Sequence, residues 1–394
     1  MALAANPELR RARIGSVDLL RGAVMVLMAL DHTRYFISNA PFDPTDIAHT
    51  TAPYFLTRWV THFCAPVFVF LAGVGAFLSQ TRGRTKSQTA YFLWTRGVLL
   101  IALECTLVRL GGSFNPDLRR QTFQVFWVLG CSMIALSVLM HLPPGIVGAF
   151  GLALVLGHNL FDGVRVAHPG AWHGVWTLLH QPGDLRPGGG IRIYAEYALV
   201  PWVGVMALGY ACGPVYELES AKRRRLLLCL GAGLIVAFIT LRALSAYGDP
   251  HKWAPQRIPV LTAMDFLNCT KYPPSLLYLL MTLGPGLLAL GLAERPTELL
   301  RGRTERMLIV FGRVPLFFYL LHRPLIHCIA VALSFTRYGP QVIHFSRNHP
   351  PADIGYGLPV VYGVWLVVIA MLYPPCRRFE QLKRTRKSAW LAYL

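Results

Sequence analysis

The sequence predicts an all-α, polytopic transmembrane helix bundle of about ten helices with both termini cytoplasmic, and three observations carry that prediction. Hydrophobic residues make up 54% of the 394 positions and charged residues only 14%, whereas a soluble domain carries about 25% charge. The apolar residues come in runs of about 20, the length that a bilayer core of about 30 Å requires. Lys and Arg collect in short stretches between alternate runs, as the positive-inside rule expects.

The ten runs lie near residues 17–38, 54–79, 90–110, 122–141, 144–161, 195–215, 225–247, 274–294, 307–333 and 355–373. The fifth, "IVGAFGLALVLGHNLF", is short and glycine-rich. With the N-terminus inside, the cytoplasmic stretches are "LRRAR", "TRGRTKSQ", "MHLPPG", "ESAKRRRL", "ERPTELLRGRTER" and "CRRFEQLKRTRKS", which hold 20 of the 38 Lys and Arg. The opposite loop "ISNAPFDPTDIAHTTAP" holds none. The chain therefore reads as one integral membrane domain over 1–394. Residues 1–16 and 376–394 are basic cytoplasmic tails, and 162–194 and 248–273 are long outside loops rich in Pro, Gly, Trp and His. Loops this long without clear structure are commonly functional or disordered, and their aromatic stretches predict partial re-entry into the membrane face. No strong internal repeat supports an inverted-repeat transporter.

Composition also excludes function classes. A net charge of +19 would suit nucleic acid, but the basic residues flank apolar spans, where topology and anionic head groups account for them. The eight cysteines show no CxxC or CxxH spacing, so neither a disulfide framework nor a zinc site is indicated. No cleavable signal peptide is evident, and the first run is expected to persist as a helix.

Ionisable residues inside the apolar runs are the functional candidates, because charge in lipid is costly and rare. In the first run, Arg21 and His32 are eleven residues apart, within 20° of three full turns and about 16 Å along the axis. Asp18, Arg21, Met25, Met28 and His32 form one stripe, and Asp18 can pair with Arg21 at i, i+3. Snorkelling to the head groups is the bland alternative for Arg21. Asp31 and His32 together make an acid–base set, the carboxylate orienting the imidazole and the imidazole removing a proton. Arg58 and His62 share a face at the start of the second run. In the ninth, Arg313 lies toward the cytoplasm, His322 and Arg323 at mid-membrane before Pro324, and His327 further out. Glu104 is an intramembrane acid that could pair with Arg96 or Arg109. Asp265, Lys271 and Tyr272 stand at an outer helix entrance, suited to polar substrate or to loop packing. His168, His173 and His180 lack helical ligand spacing, so no metal is expected. The histidines likewise show no haem-stacking interval, so no haem is expected either.

The segments "SVDLLRGAVMVLMALDHTRYF" and "RWVTHFCAPVFVFLAGVGAFLS" resemble the heparan-alpha-glucosaminide N-acetyltransferase catalytic-domain family, in its bacterial branch. "VFWVLGCSMIAL", "VPWVGVMALGYACGP", "KYPPSLLYLLMTLGP" and "FGRVPLFFYLLHRPLIH" extend the resemblance over most of the chain. The Arg21–His32 interval is similar to the arginine, ten residues, histidine pattern of the broader membrane acyltransferase superfamily. The resemblance implies transfer of an acyl group, acetyl for preference, from cytosolic acyl-CoA to a sugar-like hydroxyl or amine on the outer side of a bacterial inner membrane. Carried over by position, it implies an acyl-CoA contact at Arg21 and a role for His32 near the transferred acyl group. Under an acyltransferase reading the other intramembrane candidates become acyl-CoA contacts at Arg313 and Arg58, catalytic groups at Asp31, His62 and His322, and acceptor contacts at Asp265, Lys271, Tyr272, Arg323 and His327. The run "THFCAPVF" puts His62 near the family's aspartate, and loop His49 stands at a different distance from that run, which favours His32 or His62 over an acetylated His49. Lipid, acyl-CoA and a carbohydrate-like acceptor are the expected partners. A proton- or anion-coupled transporter built on the same Arg/His/Glu groups stays open, as does the oligomeric state, a homodimer included.

Overall fold

A computed structural model of the chain describes residues 15–164, 166, 170–294, 302–340, 355–386 and 388–393. Most of the basic N-terminal tail and His168 lie outside the described residues. The helices, in chain order, are α1 Gly15–Ile37, α2 Ala52–Thr61, α3 Cys64–Thr81, α4 Lys86–Leu103, α5 Arg109–Ser113, α6 Val125–Leu139, α7 Pro144–Gly157, α8 Ala171–Leu179, α9 Leu199–Ala211, α10 Ser220–Leu244, α11 Pro259–Leu267, α12 Leu276–Ala293, α13 Arg303–Arg313, α14 Pro315–Tyr338 and α15 Leu358–Thr385.

All ten apolar runs fall on these helices. Eight spans among the described residues are long and apolar enough to cross a membrane. The two further runs lie on α1, which Asp18, Arg21, Asp31 and Arg34 interrupt, and on α6, which has 15 residues. Two runs are broken. The second breaks at His62–Phe63 between α2 and α3, and the ninth at Val314, where Pro315 starts α14. Glu104–Val108 forms a wide π-turn between α4 and α5, a feature that often marks functional sites.

The helix ends define two faces of the bundle. One, here the basic end, holds the starts of α1 and α13 and the end of α15. The other, the loop end, holds the long connections. The loop at 162–194, expected to lack clear structure, instead builds α8 and a hairpin of β2 Gly183–Gly188 and β3 Ile191–Ala195. Gly188, Gly189 and Gly190 all take positive φ at its turn, a conformation that glycine adopts without strain. The strand β3 also pairs in parallel with β1 Arg120–Phe123, giving the order β1-β3-β2.

The helix α1 is the hub of the bundle, packing on α2, α3, α12, α13, α14 and α15. Its crossing with α13 is backbone on backbone. A Cβ at Gly22 would stand 1.8 Å from the Leu308 carbonyl oxygen, and one at Gly312 would stand 1.8 Å from that of Asp18. Facing glycines recur at Gly73/Gly209, Gly97/Gly130, Gly151/Gly204 and Gly231/Gly284. Lipid offers helices no hydrophobic reason to associate, so small residues that let backbones approach supply the packing contact. Substituting Gly22→Val should therefore push α13 off α1 and cost about 1–3 kcal/mol. Thermal unfolding of the purified variant in detergent checks this, with a clearly lowered Tm as the expected result.

Candidate functional site

The middle of α1 faces a cavity through Met28 and His32 of the stripe the sequence indicates, with Val24 in place of Met25 and with Asp31 added. Val24, Met28, Asp31 and His32 line it, while Met25 is fully buried in the core. This narrow cavity has a volume of about 70 Å³, and its remaining walls are largely apolar, including Phe68, Phe126 and Leu129. It adjoins a broad basin of about 790 Å³ opening toward the loop end, which Glu104, Arg109, Gln124, Glu196, Tyr272 and Arg323 help to line. Asp31, His32, Val125, Tyr197, Lys271 and Tyr319 belong to both. His32 thus stands where a narrow apolar space meets a wide polar one.

Hydrogen bonding fixes the tautomer of that histidine. On α14, Nδ1 of His322 is 2.7 Å from the Tyr319 carbonyl and 3.2 Å from that of Phe318. A carbonyl only accepts, so Nδ1 of His322 carries the proton and its Nε2 is a lone pair. The Nδ1–H of His32 donates to that lone pair over 2.7 Å. A neutral His32 then keeps its own Nε2 lone pair for the cavity. The two ring planes lie within 16° of each other with centroids 4.9 Å apart, as an in-plane hydrogen bond between them requires, and the Tyr319 ring meets both edge-on.

Asp31, expected to orient His32, is engaged elsewhere. Arg58 Nη1 donates to both of its oxygens at 2.8 and 2.6 Å, Arg34 donates at 3.0 Å and the Thr61 hydroxyl at 3.1 Å. Two cations and a hydroxyl saturate the carboxylate and tie α1 to α2. His322 takes over the orienting part because its α14 backbone carbonyls fix its tautomer, a pairing that no spacing within one helix reveals.

The other candidates separate into groups. Arg21 and Arg313 converge at the basic end, where both reach Asp18, at 3.3 and 3.4 Å. Arg21 also donates to the Gly312 carbonyl, and Arg313 to Glu380 at 2.9 Å. Arg58, Lys271 and Tyr272 line the basin and also a smaller cavity of about 310 Å³ at the loop end. His62 lines only the smaller one, with its ring edge-on to Tyr278 and its Nδ1 buried without a partner. It does not converge with His32. Arg323 donates to Gln124, which donates to Glu196. His327 stacks on Phe114 at 4.0 Å, and Asp265 is buried among His251, Ala254 and Gln256; neither lines the basin. His49 is exposed and paired with Asp46. His173 approaches Thr177 at 3.4 Å, and His180 approaches Asp162 at 3.6 Å.

Glu104, which the sequence offers as a partner for Arg96 or Arg109, pairs with no arginine among the described residues; it accepts from the backbone N–H groups of Phe126 and Trp127 at 2.7 and 3.2 Å, closing the start of α6. Arg109 donates to the Asn115 and Arg120 carbonyls instead. Tyr197, Tyr319 and Glu196 carried no signal beyond their residue types. The site rests on the Asp31–Arg58 pair, and removing one partner of a buried pair leaves an uncompensated charge. Arg58→Ala should therefore cost about 3 kcal/mol, read as a lowered Tm, with part of the loss recovered in the double variant Asp31→Asn, Arg58→Ala.

The family model described as "Heparan-alpha-glucosaminide N-acetyltransferase, catalytic" matches residues 13–247, which include α1 and most of the basin. No curated protein matches the chain.

Proposed function

The chain belongs to the heparan-alpha-glucosaminide N-acetyltransferase catalytic family, and from that premise we infer that it is a multi-pass membrane acyltransferase whose base is His32. The observation that carries the reading is the position of His32 at the junction of the two cavities. The acyl thioester of acyl-CoA, acetyl-CoA for preference, would occupy the narrow space, with its pantetheine arm running along Val24 and Met28 toward Arg21 and Arg313. The polar basin would admit a sugar-like hydroxyl or amine from the other side. On this reading the basic end is cytoplasmic, the basin faces outward and the membrane is the bacterial inner membrane.

The acceptor O–H or N–H gives its proton to Nε2 of His32 as its heteroatom attacks the thioester carbonyl. The tetrahedral intermediate carries an oxyanion, toward which Lys271 can turn its ammonium. Collapse breaks the C–S bond, and the departing CoA thiolate takes the proton from His32. The thioester is already activated, so the protein mainly supplies orientation, a base and charge stabilisation. Loss of a positioned base commonly costs 10²–10⁴-fold. His32→Ala should accordingly lower acyl transfer from labelled acetyl-CoA to a sugar panel by about that factor, with acetyl-CoA binding retained. Unchanged turnover in this variant would remove His32 from the mechanism.

Lys271 adds a dependence on pH. Burial, and then the neighbouring Arg58 charge, bring its ammonium down to about 8. It loses its proton as pH rises through that value, so a role as cation predicts transfer that declines on the alkaline side of about 8. Lys271→Arg should carry the decline to higher pH, because guanidinium keeps its proton. A rate that climbs through the same range would instead identify the free amine as the working form.

A further inference from the structure

A second cavity of about 530 Å³ lies at the basic end between α13 and α15. Arg303, Arg306, Arg313, Arg377 and Arg384 line it, with one carboxylate, Glu380. That carboxylate is committed to Arg313 at 2.9 Å and stands 3.9 Å from Arg384. Arg303, Arg306 and Arg377 have neither an ion pair nor a side-chain hydrogen bond among the described residues. The N-terminus of the eleven-residue α13 is at the same place, since Arg303 is its first residue. Three unpartnered guanidinium groups beside a helix N-terminus form a set of donors suited to a phosphate.

The surroundings say which phosphate. Leu366, Tyr373, Arg377 and Arg384 fall within about 20° of one face of α15 at 100° per residue. Leu366 is 60% exposed, and Ala370, about 40° from it around the helix, is exposed as well. An apolar strip that faces lipid therefore runs down α15 into the arginine cavity, with about 16 Å between Leu366 and Arg377. A phospholipid matches both parts, its acyl chain along the strip and its phosphate in the cavity. We propose that this cavity is a binding site for the head group of an anionic phospholipid, holding α13 and α15 together at the basic end.

The test uses the full chain in nanodiscs of phosphatidylcholine with phosphatidylglycerol at equal parts, followed by native mass spectrometry. The parent should retain phosphatidylglycerol adducts in preference to phosphatidylcholine. Arg306→Gln and Arg377→Gln should each lower that retention several-fold, and the double variant should reduce it to the phosphatidylcholine level. Gel filtration of each single variant establishes that it is folded. Equal retention in the parent and the folded variants overturns the proposal, as does equal retention of the two lipids by the parent. Adenosine 3′,5′-bisphosphate serves as the competing probe. If it displaces the lipid and its own affinity falls in Arg377→Gln, the cavity is a nucleotide subsite and the lipid assignment is wrong. Because the readout is lipid retention, a failed acyl-transfer assay leaves this result unaffected.

Discussion

Asp31 accepts hydrogen bonds from Arg58 through both oxygens and from Arg34 and Thr61, and the burial of α1 depends on that arrangement. A carboxylate that lies in hydrocarbon is tolerated only when it is paired and turned inward. The same helix carries a second acid, Asp18, shared by Arg21 and Arg313. With one acid network near each end, the charged positions of α1 need cover from neighbouring helices, and six other helices pack around it. Such packing needs backbones to approach closely, and the Gly22/Gly312 contact provides this at the Asp18 end.

Saturation of Asp31 has a chemical consequence for its neighbour in sequence. Because that carboxylate is held by α2 and Arg34, His32 turns to α14 and finds His322. Structural charge and acid–base chemistry are thereby separated along two adjacent residues. The first holds helices together, and the second stays available to the cavity. Lys271, Arg58 and Tyr272 form the partition between the basin and the smaller cavity, which is why His62, close in sequence to Arg58, ends up on the other side of it.

Much of the fold was legible because the bilayer imposes a length and a polarity that are one-dimensional. All ten runs correspond to helices, and even α1, dense with charge, is continuous from Gly15 to Ile37. The interruptions at Val314 and His62 escape a criterion of run length alone, although Pro315 beside Val314 is a breaker signal. The sheet at 183–195 was hidden because its strand β3 also pairs with β1, about 70 residues earlier. For the site, helical spacing identified the depth of His32 and His322 but not their contact. Periodicity places a residue on a face; it says nothing of which helix covers that face. Glu104 shows the same limit, since its partners are two backbone N–H groups, which the identities of nearby side chains cannot announce.

The His32–His322 pair also bears on the kind of donor such a site can use. When His32 takes a proton, its positive charge is balanced by a neutral imidazole backed by the Tyr319 and Phe318 carbonyls, not by a carboxylate in hydrogen-bonding contact. Dipoles stabilise an imidazolium less than a full negative charge does. That lesser support suffices where the leaving group is a thiolate, because a thiol is far more acidic than an alcohol or an amine. An amide or alkyl ester would expel a far more basic group and require stronger assistance. On the acyl-transfer reading, then, a histidine supported by another histidine is matched to a thioester. The nearby carboxylate is left to the task that a buried charge in a membrane demands, which is to remain paired.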